Sequence, residues 1–173
     1  MKRTVWIWQL AGFAATSIGG TLLHFLYDLL GKPLWITPFS GVNESTWEHM
    51  KLLFWPMLLV ALVQSLFFKG YENFWCVKLR GTLLGLSLIP IIFYTYNGVI
   101  EKSPDFINIA IFFISAAVAY MYETRELRSN SLKCKYKNVA ITILLLIAIL
   151  FALFSFYPPK IDIFKDPTGS YGI

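Results

Sequence analysis

Hydrophobic residues fall along this chain in five long blocks, separated by short stretches that carry most of the charge. The blocks run Val5–Leu30, Trp47–Phe68, Gly81–Ile100, Phe106–Tyr122 and Asn138–Tyr157. Each is near the about 20 residues a helix needs to cross a hydrocarbon layer of ~30 Å. In the last block Ile141–Phe154 reads ITILLLIAILFALF, apolar on every face. A membrane barrel would instead need alternating segments of about ten residues. The pattern predicts an all-α fold: one integral membrane bundle of five transmembrane helices spanning 1–173, with a tail over 158–173. Lys2 and Arg3 ahead of an apolar run imitate a signal peptide, but the run continues to Leu30 without a polar break, so it reads as an uncleaved first helix.

Composition agrees with that pattern. Hydrophobic residues make up 57% and charged residues 14% of the chain, and the mean hydropathy is +0.60, which excludes an ordinary soluble domain and a disordered chain. Charge adds an orientation. Of the 15 Lys and Arg, those on the side of the N-terminus are Lys2, Arg3, Lys69, Lys78, Arg80, Arg125, Arg128, Lys133, Lys135 and Lys137, against Lys32, Lys51, Lys102, Lys160 and Lys165 on the other. The positive-inside rule then predicts a cytoplasmic N-terminus and an outside C-terminus. The basic inner face suits anionic lipid headgroups and needs no nucleic acid to explain it. Cys76 and Cys134 fall in predicted cytoplasmic connections, where thiols stay reduced, so neither a disulfide nor a metal site is expected of them. No internal repeat is visible, which argues against a large alternating-access transporter.

Small residues mark where helices approach closely: Gly81-x-x-x-Gly85 in the third block and Ala11, Ala15 and Gly19 at spacing four in the first. The second set also offers a face to a partner subunit. Pro56 and Pro90 lie within blocks two and three, where each leaves the carbonyl four residues earlier without its donor and predicts a kink. Ser103-Pro104-Asp105 reads as an N-cap, a first-turn proline and an acid at a helix start.

Candidate chemistry concentrates between blocks one and two, in His24-Phe-Leu-Tyr-Asp28 and Gly41-Val-Asn-Glu-Ser-Thr-Trp-Glu-His49-Met-Lys51, which hold both histidines of the protein. His24 and Asp28 are four apart and share one helix face, and Glu48 and His49 enter the second helix at a similar expected depth. Ionisable groups inside a membrane helix are costly, and mark function by default. His24, Asp28 and His49 are candidate ligands for one divalent metal, Zn, Fe or Mn, and Glu44 and Glu48 candidate acid–base groups for metal-assisted hydrolysis of a lipid-linked or envelope substrate. Asn43, Trp47, Lys51, Asn97 and Asn108 are expected to line the pocket, with Tyr94, Tyr96 and Glu101 as further polar groups. No HExxH motif is present, and Glu48 and His49, being adjacent, point about 100° apart. Two other readings stay open: a metal-free small-molecule binding or transport component, and an accessory protein whose polar cluster is scaffold. Ser45-x-x-Glu48 reads as a capping box and Glu48 with Lys51 as an ion pair, which suits the scaffold reading.

The strings HFLYD, NESTWEHMKLLFWP and the closing FKDPTGSYG resemble a family of small bacterial membrane proteins of unknown function, along nearly the whole chain. HFLYDLL is also similar, more faintly, to the first-helix histidine motif of VanZ-like proteins. The resemblance implies a multi-pass protein of the bacterial cell membrane, and carries no activity or residue roles with it. The tail Pro158–Ile173 is expected to be ordered, since Asp166-Pro167-Thr168-Gly169 fits a type I turn.

Overall fold

The computed structural model describes residues 2–99, 105–129 and 131–173. Five helices carry the fold: α1 (Lys2–Leu29), α2 (Thr46–Ser65), α3 (Phe74–Val99), α4 (Asp105–Ser129) and α5 (Lys137–Phe156). Single turns of 3-10 helix at Leu34–Ile36 and Asp162–Phe164 punctuate the loop after α1 and the tail. α1, α3, α4 and α5 are long and apolar enough to cross a membrane. α2 is not among them, because Glu48, His49 and Lys51 crowd its first six residues. It is nonetheless the central helix, packed against all four others, with Leu52, Leu53, Phe54 and Met57 in the core.

The distribution of side chains is that of a body solvated by lipid. Ile18, Leu22 and Phe25 of α1 and Leu145, Leu146 and Ile149 of α5 face outward, while Gln9, Thr16, Gln64, Lys78 and Glu123 are buried. Lipid-facing apolar surface costs nothing in a bilayer, whereas polar groups must find partners inside.

Two helices extend past their apolar blocks. α3 begins at Phe74 rather than Gly81, and α4 runs to Ser129 rather than Tyr122. Lys78 and Glu123, read from sequence as loop charges, form a buried ion pair at 2.5 Å between α3 and α4. Each charge compensates the other, so both helices continue where hydropathy falls. Gly81 makes room for this pair, since a Cβ there would lie 2.5 Å from Glu123 Oε1. Gly85 sits against Leu53 and Ala119, so the Gly81/Gly85 face is used within the chain.

The expectation of reduced, separate cysteines is corrected. Cys76, in the first turn of α3, and Cys134, just before α5, form a disulfide with Cα atoms 5.7 Å apart. They are 58 residues apart, and only the packing of α3 on α5 brings them together. The small-residue stripe of α1 is also shifted. Gly12, Thr16 and Gly20 face inward, with Thr16 bonded to the Tyr120 hydroxyl at 2.7 Å. Ala11 and Ala15 stay exposed beside Leu59 and Val63.

Pro56 organises the α1–α2 contact. It packs 3.2 Å from where a Cβ on Gly19 would stand, and the Leu52 carbonyl it leaves without a donor lies 3.0 Å from the equivalent point on Gly20. Two glycines thus let α1 close onto the proline and its freed carbonyl. Pro90 lies inside α3, which is continuous around it. The Ser103-Pro104 cap and Glu101 lie outside the described residues. The tail is ordered as expected, with a turn closed by Gly169 N–H donating to Asp166 O and a bridge between Lys165 and Tyr171.

Candidate functional site

The site is built where α1 ends. Gly31 and Lys32 adopt left-handed backbone, φ 78° and 62°, and the Lys32 N–H donates to Tyr27 O, turning the chain back after α1. The returning segment docks on both helices. Ser40 Oγ donates to Leu23 O and accepts from the Tyr27 N–H, the two ends of one helical rung. On the other side Trp55 Nε1 donates to Pro38 O, and Lys51 Nζ to Thr37 O, both at 2.8 Å. The hydroxyl seated at Leu23 fixes α1 at the residue next to His24.

The start of α2 follows a modified capping box. Ser45 Oγ accepts from the Glu48 N–H, and Asn43 Oδ1 accepts from the Ser45 N–H. Glu48 reaches past Ser45 to accept from the Val42 N–H at 3.0 Å. Its carboxylate also pairs with Lys51 at 2.5 Å, and both are buried. Lys51 has three donors and three acceptors: Glu48, Thr37 O and Ser155 Oγ. Loop, α2 and α5 are knitted together by this saturated pair. Glu48, expected as an acid–base group, and Lys51, expected to line the pocket, are instead bonded to each other, and neither lines the cavity beside the imidazoles.

Glu44 stands instead over the histidines. Its Oε1 lies 3.7 Å from His24 Nε2 and its Oε2 lies 3.5 Å from His49 Nε2. The three residues present ligand atoms all within 4.8 Å of one another. Ring centroids of His24 and His49 are 5.9 Å apart. His49 Nδ1 lies 2.9 Å from Ser45 O, and since a carbonyl only accepts, Nδ1 carries the proton. In the neutral ring Nε2 is then bare. At 3.5 Å a bare nitrogen and a carboxylate make no good hydrogen bond, which leaves both with lone pairs that could ligate a cation. Ligand atoms around a tetrahedral Zn²⁺, at bond lengths of about 2.0–2.2 Å, stand ~3.3 Å apart, near the 3.5 and 3.7 Å contacts to Glu44 and shorter than the 4.8 Å that bounds the set. Such a ligand histidine commonly donates its other N–H to a carbonyl, as His49 does.

The remaining expectations divide. Asp28, one turn beyond His24 on α1, is not brought into the cluster: it is exposed at the surface with Lys32 at 3.4 Å. Trp47 is not among the residues lining the cavity beside the imidazoles, and packs on the rings of Phe151 and Phe164 at 4.6 Å. Asn43 ties the loop to the tail, donating to Gly172 O at 3.0 Å. Asn97 lies in the last turn of α3 and Asn108 in the first turn of α4. Of these only Asn108 lines the cavity described next.

A cavity of about 210 Å³ opens between α1, α2 and α4, lined by Gly20, Thr21, His24, Phe25, His49, Leu52, Asn108, Ile109, Phe112 and Phe113. It is mainly apolar, and Asn108 Oδ1 is buried there without a partner. The two imidazoles form its polar end. Gly20 and Thr21 continue the His24 face of α1 as the sequence suggests, whereas the Phe pair of α4 was not singled out from sequence.

By fold and composition this is an all-helical membrane protein. The chain matches Family of unknown function (DUF6512) over residues 2–173, and belongs to that family. No curated protein and no solved structure matches it.

Proposed function

We propose that the protein is a membrane metalloprotein, with one divalent ion held by His24, Glu44 and His49 at the mouth of the α1/α2/α4 cavity. The observation that carries this reading is the convergence of His24 Nε2, His49 Nε2 and the two Glu44 oxygens, with His49 Nδ1 held 2.9 Å from the Ser45 carbonyl so that its Nε2 turns to Glu44. Two imidazoles and a glutamate are a donor set used by catalytic zinc sites, which leave a fourth position for water. The reaction class that follows is metal-assisted hydrolysis, in which the ion lowers the pKa of bound water enough to make hydroxide near neutrality. With Glu48 paired to Lys51 and Asp28 at the surface, His24, Glu44 and His49 would hold the ion, and neither of those other acids stands beside them to serve as general base. The apolar cavity suits an amphiphilic substrate entering from the bilayer, such as a lipid-linked envelope molecule.

In this reading α2 completes a fifth crossing, and the basic ends of α1, α3 and α4 face the cytoplasm of a bacterial cell, which puts the site outside. Elemental analysis of protein purified without chelators tests the metal: about one Zn, Fe or Mn per chain, lost in His24→Ala and in His49→Ala. Absence of metal from wild type would favour the metal-free solute reading, for which the unpartnered Asn108 is the supporting group. Thiol labelling tests the orientation. The Cys76–Cys134 bond lies at the basic end and counts against its facing the cytoplasm, where cystines are reduced; the proposed orientation requires a permeant maleimide to label both cysteines in intact cells and an impermeant one neither. Thiols that react only after an added reductant would invert the topology.

A further inference from the structure

At the opposite end of the molecule from the histidines, the seam between α1 and α4 holds a cleft of about 510 Å³ lined by Trp6, Met121, Thr124, Arg125, Arg128 and Ser129. A second cavity of about 150 Å³ continues it along the seam past Leu10, Phe13 and Ala117, and shares Trp6, Met121 and Thr124 with the first. The head of this groove is cationic and its body apolar. Arg125 and Arg128 are exposed, and among the described residues neither has an ion-pair partner. Arg3 lies one turn before Trp6 on the same face of α1. Eleven residues separate Arg128 from Ala117, about 16 Å at a helical rise of ~1.5 Å. That is roughly one leaflet of a ~30 Å hydrocarbon core.

We infer that this groove is a binding site for an anionic phospholipid, its phosphate on the forked guanidinium groups of Arg125 and Arg128 and an acyl chain along Leu10, Phe13 and Ala117. Charge and length both select this occupant. Arginine pairs bidentately with phosphate oxygens, Trp6 lies beside the charged start of α1 as an interfacial indole does, and the trough is about one leaflet long. A soluble anion would use the arginines and leave the trough unexplained.

The test is native mass spectrometry and thermal unfolding of the full chain in neutral detergent, with phosphatidylglycerol, phosphatidylcholine or inorganic phosphate added. Wild type should retain phosphatidylglycerol and gain Tm from it, and gain little from phosphatidylcholine. Arg125→Gln with Arg128→Gln should weaken retention about tenfold or more. These two side chains are exposed, so the variant folds. Ala117→Phe, which fills the trough, should weaken phosphatidylglycerol and leave any phosphate effect unchanged. Equal retention of both lipids, an unaltered double variant, or a shift by inorganic phosphate as large as that by phosphatidylglycerol would each overturn the assignment.

Discussion

Glu44 and Glu48 stand four residues apart at one helix start, and the fold treats them in opposite ways. Glu48 is buried, and its Oε2 accepts from both Lys51 and the Val42 N–H. Glu44 is more than half exposed, and both its oxygens face imidazole nitrogens at distances too long for good hydrogen bonds. The same chemical group is closed in one place and open in the other. A carboxylate whose partners are all internal holds structure together. One left open toward two imidazoles is free to share a cation with them, as the proposed site requires.

The largest effect should come from opening the closed pair. Lys51→Ala leaves Glu48 charged and unpaired in the interior and removes the tie between loop, α2 and α5. It should cost about 3–5 kcal/mol in unfolding experiments, against less than about 1 kcal/mol for Glu44→Gln. Similar losses for the two variants would erase the distinction between them.

Next in size is Gly20→Ala. The new methyl would meet the Phe112 ring and the Leu52 carbonyl oxygen, and overpacking of this kind costs about 1–3 kcal/mol. Because Gly20 also lines the cavity below the imidazoles, the variant should weaken metal binding as well as lower Tm. A lower Tm with unchanged metal content would show that the site does not depend on the α1–α2 approach.

Ser40→Ala should cost about 1–2 kcal/mol, by removing the hydroxyl that serves both Leu23 and Tyr27. It probes the open site alone, since Ser40 makes no bond to Glu48 or Lys51 among those described. Metal affinity should fall along with stability, through the loosened seat of His24.

The smallest effect concerns a third acid, exposed but closed. Slight burial raises the Asp166 pKa and is outweighed by the Thr168 hydroxyl and the Ser170, Thr168 and Gly169 N–H groups, so the carboxyl is held below its ordinary 3.8. A depressed carboxylate stabilises the fold above its unfolded pKa, and that contribution disappears as the pH falls through the folded value. The tail turn should therefore hold unchanged from pH 7 to about 4 and loosen only in stronger acid, read by proteolysis of the tail. Asp166→Asn should abolish that acid step.

Much of the fold was legible because hydropathy reports what a bilayer demands: five apolar blocks became five helices within a few residues at most ends. It misplaced the start of α3 and the end of α4 because Lys78 and Glu123, 45 residues apart, neutralise each other in a contact that no local pattern records. The Cys76–Cys134 bond was hidden for the same reason. At the site, His24 and His49 stood out as ionisable groups in apolar helices, and the i, i+3 spacing of Glu48 and Lys51 already offered an ion pair. What sequence could not decide was which acid turns toward the histidines. That depends on the course of residues 37–45, set by Ser40 on α1 and by Thr37 and Pro38 on α2.

The central claim, that the open acid and the two histidines take a divalent ion, is tested most directly by titrating chelator-treated protein with Co²⁺ and following its visible absorption. Wild type and Asp28→Asn should bind one ion with the intense bands of a four-coordinate site, and Glu44→Gln should bind at least about 100-fold more weakly while keeping the wild-type Tm. Equal binding by wild type and Glu44→Gln, or no binding by wild type, would contradict the account.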